Sequence, residues 1–147
     1  MSWISPPRDK NPKGSLPTIQ FHGNTLTEGK FVWLGHSTLL MNTAGLIIMT
    51  DSVFNRASPA PIFGKPFAYE NQINIDDLPK VNAVIISHDH YDHLNFKAIK
   101  DLSKFVDRFF VPLGVKSHLK RGGGLMQIES ASLIGMKVRT KKMLNSP

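Results

Sequence analysis

The stretch Val81-Asn-Ala-Val-Ile-Ile-Ser-His-Asp-His-Tyr-Asp-His93 decides the fold and the chemistry of this chain. Its first six residues are apolar except for Asn82, which is typical of a strand that is buried on both faces of a sheet. The next seven residues carry three histidines and two aspartates. Such a concentration of polar side chains at the end of a buried strand predicts a functional loop.

The side chains of this loop predict a metal site. The chain of 147 residues has no cysteine, so histidine and carboxylate are the ligands that it offers to a transition metal. His88 and His90 are two residues apart and can point to the same side of an extended segment. Asp92 and His93 lie where the chain turns into a helix, within reach of a second ion. The alternative is a polar loop that binds no metal.

The segments before the loop predict strands. Residues 31–34 are rich in β-forming side chains. Residues 38–41 and 46–50 are separated by the turn cluster Asn42-Thr-Ala-Gly45, which predicts an antiparallel hairpin. A long connection over residues 52–80 is broken by prolines, and a connection of this length is usually functional or disordered.

The segments after the loop complete an α/β pattern. Asn95 is a candidate helix cap, and apolar residues recur at helical spacing from Phe96 to Phe105. A strand over residues 108–111 and a short helix over residues 114–120 follow. The alternation of strands and helices predicts an α/β architecture.

Charge and length indicate the class of the protein. The net charge is +7, and residues 116–142 hold seven Lys and Arg against one Glu. This favours either attraction to an anionic partner, such as a phospholipid surface, a phosphate ester or nucleic acid, or simply a solvated basic stretch. The start lacks the apolar run of a secretory signal, and no run is long enough to cross a bilayer. We therefore predict a cytoplasmic protein.

Ser-His-Asp-His-Tyr-Asp-His matches the His-x-His-x-Asp-His signature of the metallo-β-lactamase superfamily. Further segments resemble the branch of that superfamily that includes N-acylphosphatidylethanolamine-hydrolysing phospholipase D. These segments are Val32-Trp-Leu-Gly-His-Ser-Thr38, Thr50-Asp51, Arg56-Ala-Ser-Pro59, Asp77-Leu-Pro79 and Phe110-Val-Pro-Leu-Gly-Val115. The resemblance covers residues 28–122, and it implies the amino-terminal half of an αββα sandwich.

The resemblance also implies roles for individual residues. His88 and His90 would bind a first zinc ion, and Asp92 and His93 a second. Asp51 would be a buried structural partner beneath the site. His36 would line the site, and its alternative is a satisfied histidine at a strand end. Asp92 and His36 are the predicted catalytic residues, whereas Asp89 is expected to point away.

The resemblance covers only the first half of the family pattern. Members are usually about twice as long, and their second half supplies a third histidine for the first zinc, a bridging aspartate and a further histidine for the second. His118 is the only later histidine and matches no motif position, as is also true of His22. We therefore expect a truncated chain with an extended arm (1–27), a metallo-β-lactamase-like half-domain (28–122) and a divergent basic tail (123–147).

These observations leave two main functional hypotheses. The first is a zinc-dependent hydrolase that acts on a phosphodiester or phospholipid-like substrate, with peripheral membrane contact. The second is a non-catalytic remnant, or a metal-binding or interaction module. Specific binding of nucleic acid is not expected. Half of a sandwich would leave one apolar sheet face uncovered, so self-association through that face is also expected.

Overall fold

A computed structural model of the chain describes residues 12–54, 67–117, 119 and 128–130. Within these residues, six strands form one mixed sheet and one α-helix follows the fourth strand. In chain order the elements are β1 (Phe31–Trp33), β2 (Leu39–Thr43), β3 (Leu46–Thr50), β4 (Val81–Ile85), α1 (Phe96–Leu102), β5 (Val106–Val111) and β6 (Ile128–Ser130). The α/β class predicted from the sequence is confirmed.

The amino-terminal part of the sheet is antiparallel. β1 pairs with β2, and β2 pairs with β3 so that Leu40 lies opposite Met49. The predicted hairpin is confirmed, with a turn at Ala44 (φ 52°) and Gly45 (φ 74°), the two positive φ values that a tight hairpin turn requires. The Glu28 carboxylate accepts hydrogen bonds from the backbone N–H groups of Ala44 (2.7 Å) and Gly45 (3.0 Å).

The second part of the sheet is parallel. β3, β4, β5 and β6 are neighbours in that order, and each pair runs in the same direction. The carboxyl ends of parallel strands lie at one edge of a sheet, so residues that directly follow β3 and β4 come together there. β5 begins at Val106, two residues before the predicted start, because Val106 pairs with Val81 and is buried.

The core lies between one face of the sheet and α1. Four residues that lie side by side on neighbouring strands are fully buried and pack in one cluster with Leu102 of α1. They are Leu40, Met49, Val84 and Phe109. The helix begins at Asn95, whose side chain accepts a hydrogen bond from the backbone N–H of Ala98 at 3.0 Å. The predicted cap is therefore confirmed, and the helix ends at Leu102, so Phe105 of the predicted spacing lies beyond it.

The opposite face of the sheet carries apolar side chains that the described residues leave open. Phe31 is 72% exposed and Trp33 58% exposed, and both lie on the edge strand β1. In the register, Trp33 lies opposite Leu39, Leu39 opposite Thr50, and Thr50 opposite Ile85, itself 38% exposed. We call the row Trp33, Leu39, Thr50, Ile85 and its neighbours Phe31 and Met41 the outer face.

The described part of the predicted arm contacts the connection between β3 and β4. The Leu16 N–H donates to the carbonyl oxygen of Ala68 (2.7 Å), and the Glu70 N–H donates to the Leu16 carbonyl oxygen (3.0 Å). Most of the predicted tail and the loop segment Arg56-Ala-Ser-Pro59 lie outside the described residues, although β6 falls within 123–147. The boundaries at 27 and 122 stay predictions. Among the described residues, no helix has the length and apolar character to cross a membrane.

Candidate metal centre

The histidine-rich loop lies at the edge where β3 and β4 end. After β4 the chain turns at residues 88–94, with the N–H groups of His93 (2.9 Å) and Leu94 (2.7 Å) both donating to the His90 carbonyl oxygen. This turn gathers the imidazoles. The ring centroids of His88 and His90 are 4.6 Å apart, and those of His88 and His93 are 3.9 Å apart.

Two groups of metal-ligand side chains result, and Asp92 belongs to both. His88, His90 and Asp92 form one group, and His36, Asp92 and His93 form the other. In each group every residue offers one ligand atom, and these atoms lie within 4.8 Å of one another. Two imidazoles and one carboxylate are a ligand set that zinc and non-haem iron accept in proteins. The residues therefore fit a transition metal ion.

Asp51 forms hydrogen bonds with the histidine-rich loop from a buried position. It directly follows β3, is only 7% exposed, and has a positive φ of 37°. Its Oδ1 accepts a hydrogen bond from the backbone N–H of Ser87 (2.7 Å). Its Oδ2 accepts from Ser87 Oγ (2.9 Å) and lies 3.0 Å from His93 Nδ1. A buried carboxylate on one ring nitrogen is the usual way to orient a metal-binding histidine.

One arrangement of protons satisfies this whole network. His93 Nδ1–H donates to Asp51, the Ser87 hydroxyl donates to Asp51, and His88 Nδ1–H donates to Ser87 Oγ over 2.8 Å. Both imidazoles then carry their hydrogen on Nδ1. The Nε2 atoms of His88 and His93 are left with a free lone pair, which is the form that binds a metal ion.

Asp92 is held in its charged form. Partial burial works to raise its pKa, but hydrogen bonding by its own backbone N–H and by His36, with the positive potential of His93 and His36, outweighs burial, so the pKa is lowered. The carboxylate is therefore ionised at neutral pH, as a metal ligand must be.

His36 reaches the site from the turn between β1 and β2. Its Nε2 lies 3.4 Å from Asp92 Oδ2, and its ring centroid lies 5.9 Å from that of His93. Its carbonyl oxygen accepts a hydrogen bond from Trp33 Nε1 (2.8 Å). The neighbouring Ser37 hydroxyl donates to the Asp92 carbonyl oxygen (3.0 Å). His36 is therefore anchored beside the histidine-rich loop, 56 residues away in sequence.

The structure brings together all five residues predicted for the site: His36, His88, His90, Asp92 and His93. Asp89 is exposed and belongs to neither group, and His22 is exposed on another part of the surface. His118 lies outside the described residues. Ser87 was not predicted to have a role in the site. Its place between the buried strand and His88 was the available signal, because a hydroxyl there can reach both the strand end and the first imidazole.

One cleft among the described residues lies away from these side chains. It has a volume of about 440 Å³ and is lined by Phe54, Ile73, Lys97, Asp101 and Lys104 among others. None of the metal-ligand residues lines it. The cleft and the metal-ligand groups are therefore separate features of the described surface.

Comparison with known proteins agrees with the ligand pattern. The family described as the beta-lactamase superfamily domain matches residues 47–145, which include the strand end at Asp51 and the whole histidine-rich loop. The chain belongs to this superfamily. The resemblance inferred from the sequence motifs is therefore confirmed.

Individual relatives are similar over part of their length. An uncharacterized protein of Mycobacterium tuberculosis is 41% identical over 93 residues, which cover 62% of this chain and 25% of that protein. The N-acyl-phosphatidylethanolamine-hydrolyzing phospholipase D 1 of Caenorhabditis elegans is 34% identical over 116 residues, which cover 76% of this chain and 32% of that protein. The chain thus spans about a quarter to a third of these relatives.

A solved structure shares the fold. CmlA, a diiron beta-hydroxylase from Streptomyces venezuelae, superposes with a TM-score of 0.51 at 22% identity, over 68% of this chain and 20% of that protein. At this level of identity the likeness concerns the fold alone.

Proposed function

We propose that this chain is part of a metal-dependent hydrolase that cleaves phosphodiester bonds in the manner of a phospholipase D. The observation that carries the proposal is the pair of three-residue ligand groups that share Asp92. The hydrogen bonds of Ser87 and Asp51 support it further, since they orient His88 and His93 for metal binding.

Zinc is the proposed metal: His88 and His90 would hold one ion, and Asp92 and His93 would hold the other. Bound zinc ions supply Lewis acidity and an activated water for hydrolysis. The same ligand chemistry also accepts iron or manganese. A diiron protein with the same fold makes iron the second candidate to measure.

The protein groups have distinct proposed tasks. Asp92 stays ionised because hydrogen bonding and the nearby imidazoles outweigh the effect of its burial on the pKa. Asp92 and His36 are half-exposed, at 38% and 49% of their side chains, and are proposed to contact the reacting groups. Asp51, whose side chain is buried, is proposed to position His93 without touching a substrate.

The proposed substrate is a phosphodiester such as that of a phospholipid. Support comes from the similarity to an enzyme named for hydrolysing N-acyl-phosphatidylethanolamine and from the net charge of +7. Contact with an anionic membrane surface is part of this proposal. A specific role in nucleic-acid binding is not proposed.

A non-catalytic metal-binding module is the second candidate. One observation favours it: the chain spans 25% and 32% of the length of two relatives, so their whole activity need not be present. The two candidates share metal binding and differ in turnover.

The first experiment measures metal content by inductively coupled plasma mass spectrometry on the purified chain. About two zinc ions per chain are expected, with loss of the ion held by His88 and His90 in the His88→Ala/His90→Ala variant and no change in the His22→Ala control. Hydrolysis of bis(p-nitrophenyl) phosphate and of N-acyl-phosphatidylethanolamine vesicles is then compared across the same variants. Metal without turnover would favour the binding module, and absence of metal would refute both candidates.

A further inference from the structure

We infer that His36 is itself a metal ligand, which with Asp92 and His93 completes a three-donor site separate from the His88 and His90 pair. The inference rests on the proposed function and deepens it. The sequence motif names only two ligands for this second ion, Asp92 and His93. The third comes from a different part of the chain, the turn between β1 and β2.

The separations of the ligand atoms carry the inference. His36 Nε2 lies 3.4 Å from Asp92 Oδ2, and His93 Nε2 lies 3.7 Å from the same oxygen. Two ligand atoms about 2.1 Å from a tetrahedral zinc ion are about 3.4 Å apart. A hydrogen bond between an imidazolium and a carboxylate is usually shorter, about 2.7–2.9 Å. The observed spacing matches that of neighbouring ligands around an ion and is longer than a strong hydrogen bond of this kind.

The orientations of the two imidazole rings also support the inference. His93 turns its Nδ1 to Asp51 at 3.0 Å, so its Nε2 remains for a metal ion. His36 also presents Nε2 to Asp92 Oδ2. Among the described residues, the three side chains converge with one donor atom each. The result is a set of two imidazoles and one carboxylate, with room for water or substrate at a fourth position.

The backbone around His36 is arranged to hold this position. His36 has a φ of 45°, in the left-handed region that non-glycine residues seldom adopt. Hydrogen bonds from Trp33 Nε1 to the His36 carbonyl oxygen and from Ser37 Oγ to the Asp92 carbonyl oxygen fix it there. The imidazole is 49% exposed, so burial in the core does not explain the conformation.

The competing role is a hydrogen bond that only positions Asp92. A cysteine at this position separates the two roles, because a thiolate binds Co²⁺ and gives a thiolate-to-cobalt charge-transfer band in the near ultraviolet. The chain has no cysteine of its own, so any such band reports position 36. A residue that only positions Asp92 would not produce the band when replaced.

The experiment titrates the full chain with Co²⁺ and follows stoichiometry and absorption. Wild type and His22→Ala are expected to bind two ions. His36→Asn, which tolerates the left-handed backbone, is expected to weaken one of the two ions by about 100-fold, and His36→Ala should do the same. His36→Cys is expected to show the charge-transfer band, with circular dichroism confirming the fold of each variant.

The outcomes separate the inference from the proposed function. Two ions bound with unchanged affinity in His36→Asn, or a folded, cobalt-saturated His36→Cys variant without the band, would overturn the ligand role and leave the hydrolase proposal in place. A wild-type chain that binds no metal would overturn both. His88→Ala/His90→Ala is expected to keep the ion bound by His36, and loss of both ions there would contradict a separate site.

Discussion

Replacing Asp51 by asparagine should weaken metal binding while leaving the fold intact. The asparagine side-chain oxygen can still accept the Ser87 N–H hydrogen bond that Asp51 Oδ1 accepts at 2.7 Å. Asparagine also tolerates the positive φ of 37°. The amide nitrogen, however, replaces Oδ2 and presents a donor to His93 Nδ1, which is 3.0 Å away.

The expected loss of metal affinity follows from the position of the proton on the His93 imidazole. Facing a donor, Nδ1 must become the acceptor, so the hydrogen moves to Nε2 and that atom loses its free lone pair. Disrupting a partner of this kind costs about 10–100-fold in metal affinity, which corresponds to about 1.4–2.7 kcal/mol. Unfolding free energy should fall by only about 1–2 kcal/mol, since one charge-assisted hydrogen bond is exchanged for a neutral one.

The assay is a Zn²⁺ competition titration against a chromophoric chelator, paired with thermal denaturation followed by circular dichroism. Asp107→Asn is the matched control, because Asp107 also bonds to neighbouring side chains, Lys80 and Asn82, but at the start of β5. Wild-type affinity in a folded Asp51→Asn variant would refute the role assigned to Asp51. Weaker Zn²⁺ binding by the Asp107→Asn variant would show that loss of a negative charge alone, and not loss of the His93 contact, accounts for the effect.

Three further variants test the fold around the site. Asn95→Ala removes the cap of α1 and should lower the unfolding free energy by about 0.5–2 kcal/mol in chemical denaturation, whereas no loss would mean that the cap is dispensable. Gly35→Ala forces a side chain into a φ of 103° at 3.2 Å from the Tyr69 hydroxyl, so the melting temperature should fall. Phe31→Ser combined with Trp33→Ser should reduce self-association through the outer face, measured by analytical ultracentrifugation; an unchanged mass distribution would argue against that interface.

The local elements of the fold could be predicted because their signals are local. The strand predicted over 81–86, the hairpin and the Asn95 cap each depend on residues close in sequence. Each is present, although β4 ends at Ile85 and β2 extends to Thr43, two residues into the predicted turn. The start of β5 was misjudged because Val106 becomes part of the strand only by pairing with Val81 across the sheet. Such a pairing leaves no periodic signal in the segment itself.

The site could be predicted only in part for the same reason. His88, His90, Asp92 and His93 follow one another in sequence, so their common chemistry is visible there. The contact of His36 with Asp92 spans 56 residues, and it depends on the turn before β2. Ser87 was passed over because its role appears only when Asp51 is placed beside it by the parallel pairing of β3 and β4.

Because β3 and β4 pair in parallel, metal binding at their carboxyl ends is expected to stabilise the pairing of the two strands. Asp51 ends one strand and the histidine-rich loop ends the next, and the Asp51 N–H donates to the Ile85 carbonyl oxygen across the pair at 3.0 Å. Asp51 at the end of β3 orients His93 of the loop after β4, so an ion held by His93 favours the paired strands over the separated ones. At 100 times its dissociation constant, such an ion adds about 2.7 kcal/mol to the stability of the folded chain. The free energy of unfolding of the chain would then depend on the concentration of free metal ion.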